Sequence, residues 1–314
     1  MNSLDKIVEY KNYLQSACVL NSSLSEEQKK SLAEAGYCLI PYTESDWKSR
    51  GIHFDQIKKS IQELVINEGT AGGWDHKKEL QKTGSHPEPG TQRLSNILSK
   101  NEIFRPFFMI PEVLAGVDQV IQAPFKLSSL SYREPLEGSG IQNLHIDWRP
   151  RRYESTPYQV AIAYIYLDDS TRENGCLRVI PGSHRRLGEP SDFGWETQKE
   201  HPDQVLVEAS RGSIAIFNAH LWHGGTLNRS GKRRRSISLV YRDRRIYQQL
   251  NQKKNIPMLV QDKMSDVEKY FLAIREEDKT QNEFWYRRRN TWYVTKAVHL
   301  SEGASHVLSK VLPF

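Results

Sequence analysis

Trp222-His223-Gly224-Gly225-Thr226-Leu227-Asn228-Arg229-Ser230-Gly231-Lys232-Arg233-Arg234-Arg235-Ser236-Ile237-Ser238 is the run on which the fold reading turns. Before it, the apolar run Ser213 to Phe217 has the composition of a buried strand and delivers the chain to His223. The Gly, Asn, Ser and Gly that follow are residues of a chain reversal, after which arginines lead into a second strand from Ser236 to Arg242. Alternate side chains of a strand share a face, so Arg234, Ser236, Ser238 and Val240 point one way while Arg233 and Arg235 point the other. A slip of one residue would exchange those roles. The spacing therefore predicts a hairpin-like turn that aims His223 and Arg234, 234 − 223 = 11 positions apart, into one barrel.

Upstream, Phe125 to Tyr132, Asn143 to Trp148, Tyr158 to Leu167, Cys176 to Ile180 and Gln204 to Glu208 are further short β-branched or aromatic runs, separated by Gly, Pro, Asn and Asp. So many short strands between 125 and 245 predict a mainly β fold, a double-stranded β-helix of the jelly-roll or cupin-like kind, with flanking helices. One domain covers 1–314 in this reading: a helical part over 1–124 packed on the barrel, the jelly-roll core over 125–245, and a helical extension or lid over 246–314. Ser25 and Gln28 form a capping box that opens a helix to about residue 35, Gly36 stops it, and Tyr37 to Ile40 reads as a strand. Further helices are expected from Asp55, from Pro111 to Ile121, and after the capping box Ser265/Glu268. Residues 69–90 read as a long loop, where His76 and His86 are expected to be solvated.

At 38% apolar and 26% charged residues the composition is that of a globular protein. No run reaches the roughly 18 apolar residues of a membrane span, and the N-terminus lacks a secretory pattern, so a cytoplasmic protein is expected. The three cysteines, Cys18, Cys38 and Cys176, are scattered, which suggests neither a disulfide framework nor a thiolate metal site. A net charge of +6 permits an anionic partner, but the basic residues are spread along the chain and nucleic acid is not inferred from them. The aromatic and arginine residues between Phe284 and Tyr293 read as a packed element with a solvated basic face. Self-association is left open.

The second chemical signal is Leu144-His145-Ile146-Asp147-Trp148. In a strand His145 and Asp147 present an imidazole and a carboxylate side by side, and His223 lies 223 − 145 = 78 positions on. Two histidines and one carboxylate with the other positions open suit non-haem Fe(II) that activates oxygen. His220 competes for the third place, but three positions along a strand puts it on the face opposite His223. His184, in a Pro-Gly-Ser turn, reads as part of a structural corner.

His145-x-Asp147, Glu173-Asn174-Gly175-Cys176-Leu177 leading to Pro181-Gly182-Ser183-His184, and His223-Gly with Asn228, Ser230 and Arg234 together resemble the phytanoyl-CoA dioxygenase family of Fe(II)- and 2-oxoglutarate-dependent oxygenases, over about 24–245. The resemblance implies that His145, Asp147 and His223 bind iron and that Arg234 holds the distal carboxylate of 2-oxoglutarate. A guanidinium fork suits a bidentate carboxylate. It further implies Tyr164 and Ser236 near the cosubstrate. The family often has a small polar residue two places after the last histidine, where this chain has Gly225; Thr226 is the candidate substitute. A carboxylate at 147, where related halogenases carry a small residue, implies oxygen chemistry, hydroxylation before desaturation, cyclisation or epimerisation. Trp148, Arg149 and Arg152 follow the ligand pair and are the candidates to meet a small-molecule substrate with an acidic group. Two other readings predict different behaviour. A non-catalytic cupin-like metal protein needs no Arg234, and a nucleic-acid demethylase needs a continuous basic groove.

Overall fold

The computed structural model describes residues 3–20, 23–73 and 90–275. His76, His86 and the arginine-rich run 284–293 lie outside them. Contacts divide the chain into two units, Met1–Ala273 and Ile274–Phe314, and every element named below belongs to the first. Helices α1 (Ser3–Ser16) and α2 (Glu26–Glu34) precede strand β1 (Tyr37–Ile40), and α3 (Glu44–Ser49) and α4 (Phe54–Glu68) follow it. The capping box at α2 is formed as the sequence predicts: the Gln28 amide donates to Ser25 Oγ, and the Ser25 amide donates to Gln28 Oε1. Strand β2 (Thr91–Leu94) and helix α5 (Pro111–Ile121) lead to β3 (Phe125–Pro135), β4 (Val160–Tyr166), β5 (Leu177–Val179), β6 (Val205–Val207), β7 (Ile214–Asn218), β8 (His223–Gly225) and β9 (Ser236–Asp243). Helix α6 (Asp266–Leu272) starts at the second capping box, Ser265/Glu268.

Two antiparallel sheets result, a six-stranded one in the order β1-β7-β4-β9-β3-β2 and a three-stranded one in the order β6-β5-β8. This is the jelly roll that the strand pattern predicts. Val160, Ile162 and Phe217 from the large sheet, with Ala219 just after β7, meet Leu177, Val179 and Val207 from the small one in an apolar core between them. Helix α5 covers the other face of the large sheet with Val113, Leu114, Val117, Val120 and Ile121, each worth about 1.5–3 kcal/mol when fully buried. The helix can come that close because Gly116 has no side chain; a Cβ there would lie 2.6 Å from Ile216 Cδ1. Gly116→Val would wedge the helix off the sheet.

Register fixes what else lines the interior. Tyr166, Ser236, Arg133 and Arg93 are opposite one another across β4, β9, β3 and β2, and therefore form one row on one face. Tyr164, Ser238 and Ser131 form the next row on that face. The large sheet thus has an apolar inner end around Val160 and Ile162 and a polar inner end around these two rows.

Two expectations are corrected. Asn143 to Trp148 is not a strand: its only ladder contact is the bridge from His145 to His223. The reason is that its amides answer to different segments, Leu144 to the Thr197 carbonyl, His145 to His223 and Asp147 to Ala219, so no single partner runs alongside. Nor are β8 and β9 a hairpin, since they belong to different sheets. The connection crosses from one sheet to the other, held at Asn228, whose side-chain amide donates to the carbonyls of Pro135 and Lys232.

Candidate metal centre

His145 and His223 exchange both backbone hydrogen bonds at 3.0 Å, which puts their rings together with centroids 4.4 Å apart. Asp147 is held nearby by its amide bond to the Ala219 carbonyl, 2.8 Å. Its two carboxylate oxygens then lie 3.5 Å from His145 Nε2 and 3.4 Å from His223 Nε2. One ligand atom from each of the three residues falls within 4.8 Å of the others. Metal–ligand bonds of about 2.1 Å at right angles would bring such atoms to about 3 Å apart, a small contraction.

Each imidazole is already oriented for that task. His145 Nδ1 is 2.7 Å from the Asn143 carbonyl and His223 Nδ1 is 2.8 Å from the Leu221 carbonyl. A carbonyl only accepts, so both Nδ1 atoms carry the proton and both Nε2 lone pairs face the shared point. Burial opposes the charge on Asp147, but His223 and His145 outweigh it and hold the carboxylate below its usual range. For His145 burial also works against the proton, and the Asp147 carboxylate wins, raising its pKa. The His223 side chain is 2% exposed and forms the floor, while Asp147 at 38% and His145 at 34% face the opening.

Arg234 lies two residues before the first residue of β9 and is 2% exposed. Its Nε and Nη2 have no hydrogen-bond partner, and neither does the nearby buried hydroxyl of Tyr166. A buried guanidinium with unused donors costs several kcal/mol unless an anion meets it, and its planar fork has the shape that a carboxylate would match. Its pKa is lowered to about 10, by burial first and then by the charge of Arg133, with Tyr166, Tyr164 and Cys176 acting the other way. The flanking arginines face outward and are engaged: Arg233 forks onto Glu134, and Arg235 forks onto Asp168, which also takes Lys58. Only the middle arginine of the three is aimed inside, as strand alternation predicts.

The other predicted residues divide by place. Tyr164 is edge-on to Phe217 at 5.1 Å, and its hydroxyl is pushed up to about 12 by burial and by the Asp147 charge, with Arg133, Arg234 and Arg93 pulling it down, so it stands between the metal residues and the arginines. Ser236 begins β9 beside Arg133 and donates to the Arg133 carbonyl at 3.3 Å. Thr226 does not stand in for a side chain at 225: its hydroxyl donates to the Cys176 carbonyl at 2.8 Å, and it lines a pocket of about 480 Å³ with Arg178 and Leu206 on the outer face of the small sheet. The Trp148 ring is approached by the guanidinium groups of Arg149 and Arg242, 5.6 and 4.8 Å from its centroid, and its Nε1 donates to Gln159 at 3.1 Å. Arg149 and Arg152 are exposed. His220 is spent on Asn218 Oδ1 and the Arg149 carbonyl, and His184 on the Ala33 carbonyl; burial lowers both to about 4. Neither joins the metal cluster.

Sequence reasoning missed Tyr166, Arg133 and Arg93. Tyr166 was within reach, being two residues from Tyr164 on one strand. The two arginines depend on the pairing of β2 with β3, which no local pattern announces.

The model of the phytanoyl-CoA dioxygenase (PhyH) family matches residues 17–236. The dioxygenase olcK of Penicillium canescens is 27% identical over 200 residues, which make up 59% of this chain and 61% of that one; the chain spans about three fifths of that relative's length. Among solved structures, HygX of Streptomyces hygroscopicus, with nickel and 2-oxoglutarate bound, superposes with a TM-score of 0.54 at 16% identity, over 73% of this chain and 92% of that one. EctD of S. alaskensis, with bound Fe, superposes with a TM-score of 0.55 at 16% identity, over 72% and 79%. At those identities the likeness is one of fold.

Proposed function

The chain belongs to the phytanoyl-CoA dioxygenase family, and on that premise we propose that it is an Fe(II)- and 2-oxoglutarate-dependent oxygenase that hydroxylates a small-molecule metabolite carrying an acidic group. The observation that carries this reading is the pairing of a three-residue metal cluster with a buried, unsatisfied guanidinium in one barrel. His145, Asp147 and His223 would hold the iron, and Arg234 would take the distal carboxylate of 2-oxoglutarate, with Tyr164, Tyr166 and Ser236 lining the space between. The bound iron and cosubstrate supply oxygen activation: O₂ is consumed, 2-oxoglutarate becomes succinate and CO₂, and a substrate C–H bond is oxidised.

The protein's own residues supply orientation and exclusion. The Asn143 and Leu221 carbonyls hold the proton of each neutral ring on Nδ1 and so turn the Nε2 lone pairs to the metal. Asp147 fills the place that halogenation would need, which favours hydroxylation. The apolar inner end of the barrel keeps bulk water from the floor. Trp148, Arg149 and Arg152 stand on the segment leaving the ligand pair, where a substrate carboxylate or phosphate would pass. The 2-oxoglutarate arm is tested by adding it anaerobically to the Fe(II) protein: a visible charge-transfer band is expected, absent in His145→Ala and much weakened in Arg234→Ala. A wild-type protein with no band would rule the reading out. Once a metabolite screen yields a substrate that drives succinate release, Arg149→Gln should raise its KM and leave 2-oxoglutarate affinity unchanged.

A further inference from the structure

We propose that the pocket on the outer face of the small sheet is a second ligand site, built for a small organic carboxylate with a compact apolar body and separate from the metal centre. In register, Leu206, Arg178 and Gly224 form one row across β6, β5 and β8. The rows on either side are Val205, Val179 and His223, and Val207, Leu177 and Gly225. Val179, Leu177 and Val207 point into the core, so Arg178 and Leu206 between them point out. They line a pocket of about 480 Å³, within the range of about 300–1,000 Å³ usual for small-molecule sites. The small sheet therefore stands between this pocket and the metal side of His223, and the proposal holds whether or not the oxygenase reading does.

Arg178 is the chemical centre of the pocket. It is 3% exposed, and its Nη atoms donate to the carbonyls of Lys199, Gln142 and Thr197 at 2.8, 2.8 and 3.0 Å. Those acceptors are neutral, and Nε has no partner. Burial lowers the Arg178 pKa and the charge of Glu200 only partly offsets it, so an incompletely balanced cation is fixed beneath the pocket. Arg172 and Arg229 also line the pocket, both exposed, and among the described residues neither guanidinium is held in an ion pair.

The carboxylates on the same wall do not cancel this charge. They are Glu200 and Glu208, both exposed, and Glu208 is turned to the Arg172 amide at 2.7 Å. Three guanidinium groups against two carboxylates leave 3 − 2 = 1 positive charge, the complement of one carboxylate head. A concave site with one sign in excess focuses its field on such a ligand. The rest of the lining is suited to an apolar body: Ile141, 60% exposed, stands with Leu206 and Leu227. A bare inorganic ion would leave that surface in water, whereas a ring or short chain would cover it.

Benzoate, a carboxylate on a ring, is the probe, titrated by calorimetry into the protein in the presence of a chelator so that no metal competes for it. One site per chain with a Kd of about 1 mM or tighter is expected, and uncharged benzamide should bind at least about tenfold more weakly. Arg229→Gln should weaken benzoate about tenfold, and Ile141→Ser about threefold. Both side chains are exposed, so the fold tolerates both changes. Lys232→Gln removes an exposed charge that does not line the pocket, and Arg234→Met removes the guanidinium inside the barrel; each should leave the Kd within about twofold. Equal weakening by Arg229→Gln and Lys232→Gln would show only general attraction of charge, and loss of binding in Arg234→Met would place the probe inside the barrel. Either result would overturn the proposal, as would benzamide binding as well as benzoate or benzoate showing no saturable binding.

Discussion

Arg234 shows how a single residue can be costly to the fold and necessary to the site. A guanidinium lowered from 12.5 to about 10 is disfavoured in its charged form by roughly 3 kcal/mol. The sign follows from linkage: the folded protein holds this proton less tightly than the unfolded chain, so the cost is present throughout the range below pH 10 and fades only as pH rises through 10. A bound carboxylate relieves it at any pH. Arg234→Met, similar in bulk and without charge, is therefore expected to raise the melting temperature of the cofactor-free protein by several degrees. The same variant should lose the further rise that 2-oxoglutarate gives the metal-loaded wild type. A variant less stable than wild type would mean that the guanidinium is already satisfied within the folded protein.

At the scale of elements, legibility followed locality. The helices with capping boxes at Ser25 and Ser265 were readable because their signals lie within four residues, and α5 because Val113, Leu114, Val117 and Val120 keep the helical period. β2 was not, since Thr91–Leu94 is defined only by pairing with β3 some forty positions on. Helix α1 was missed because its first half shows Leu4, Ile7 and Val8 to solvent, and its packing rests on Tyr10 and Leu14 with Tyr13 stacked on Tyr270. The metal pair was legible as His-x-Asp, yet for the wrong geometric reason: the two residues converge through separate tethers to His223 and Ala219, not through strand alternation. The Asn174-Gly175 corner belongs to the same scale, because Gly175 at φ +89° brings its Cα against the segment joining β8 to β9, with a Cβ position 2.7 Å from the Thr226 carbonyl oxygen. Gly175→Ala should cost about 2–5 kcal/mol, from the left-handed backbone plus the contact. Gly138→Ala, at φ +70° with nothing within 4 Å, should cost only about 1–2 kcal/mol. Urea denaturation of both checks the difference, and equal losses would mean that the corner has room to move.

Among the described residues the positive charge is dispersed, and part of it is held in ion pairs. Arg50 is with Glu112, Lys100 with Glu68, Arg105 with Glu268, Arg233 with Glu134, and Arg235 and Lys58 with Asp168, in ion pairs spread over helices and both ends of the large sheet. Among the described residues no helix is long and apolar enough to cross a membrane. Several of the cations behind a pI near 9.0 thus act as local braces among the described residues, and those near the site are a few arginines inside a barrel. That distribution separates the three functional readings by linkage, because a ligand that binds only the folded state raises its stability by about 2.7 kcal/mol at one hundred times its Kd. Thermal unfolding is expected to shift upward with Mn(II), and upward again with 2-oxoglutarate when Mn(II) is present. Buried contacts are weakly screened, so the second shift should survive an increase from 50 to 200 mM salt. A metal shift with no 2-oxoglutarate shift would leave a cupin-like metal protein without catalysis. Stabilisation by single-stranded nucleic acid that collapses over the same salt range, where such binding loses about a thousandfold or more in affinity, would instead favour the demethylase reading.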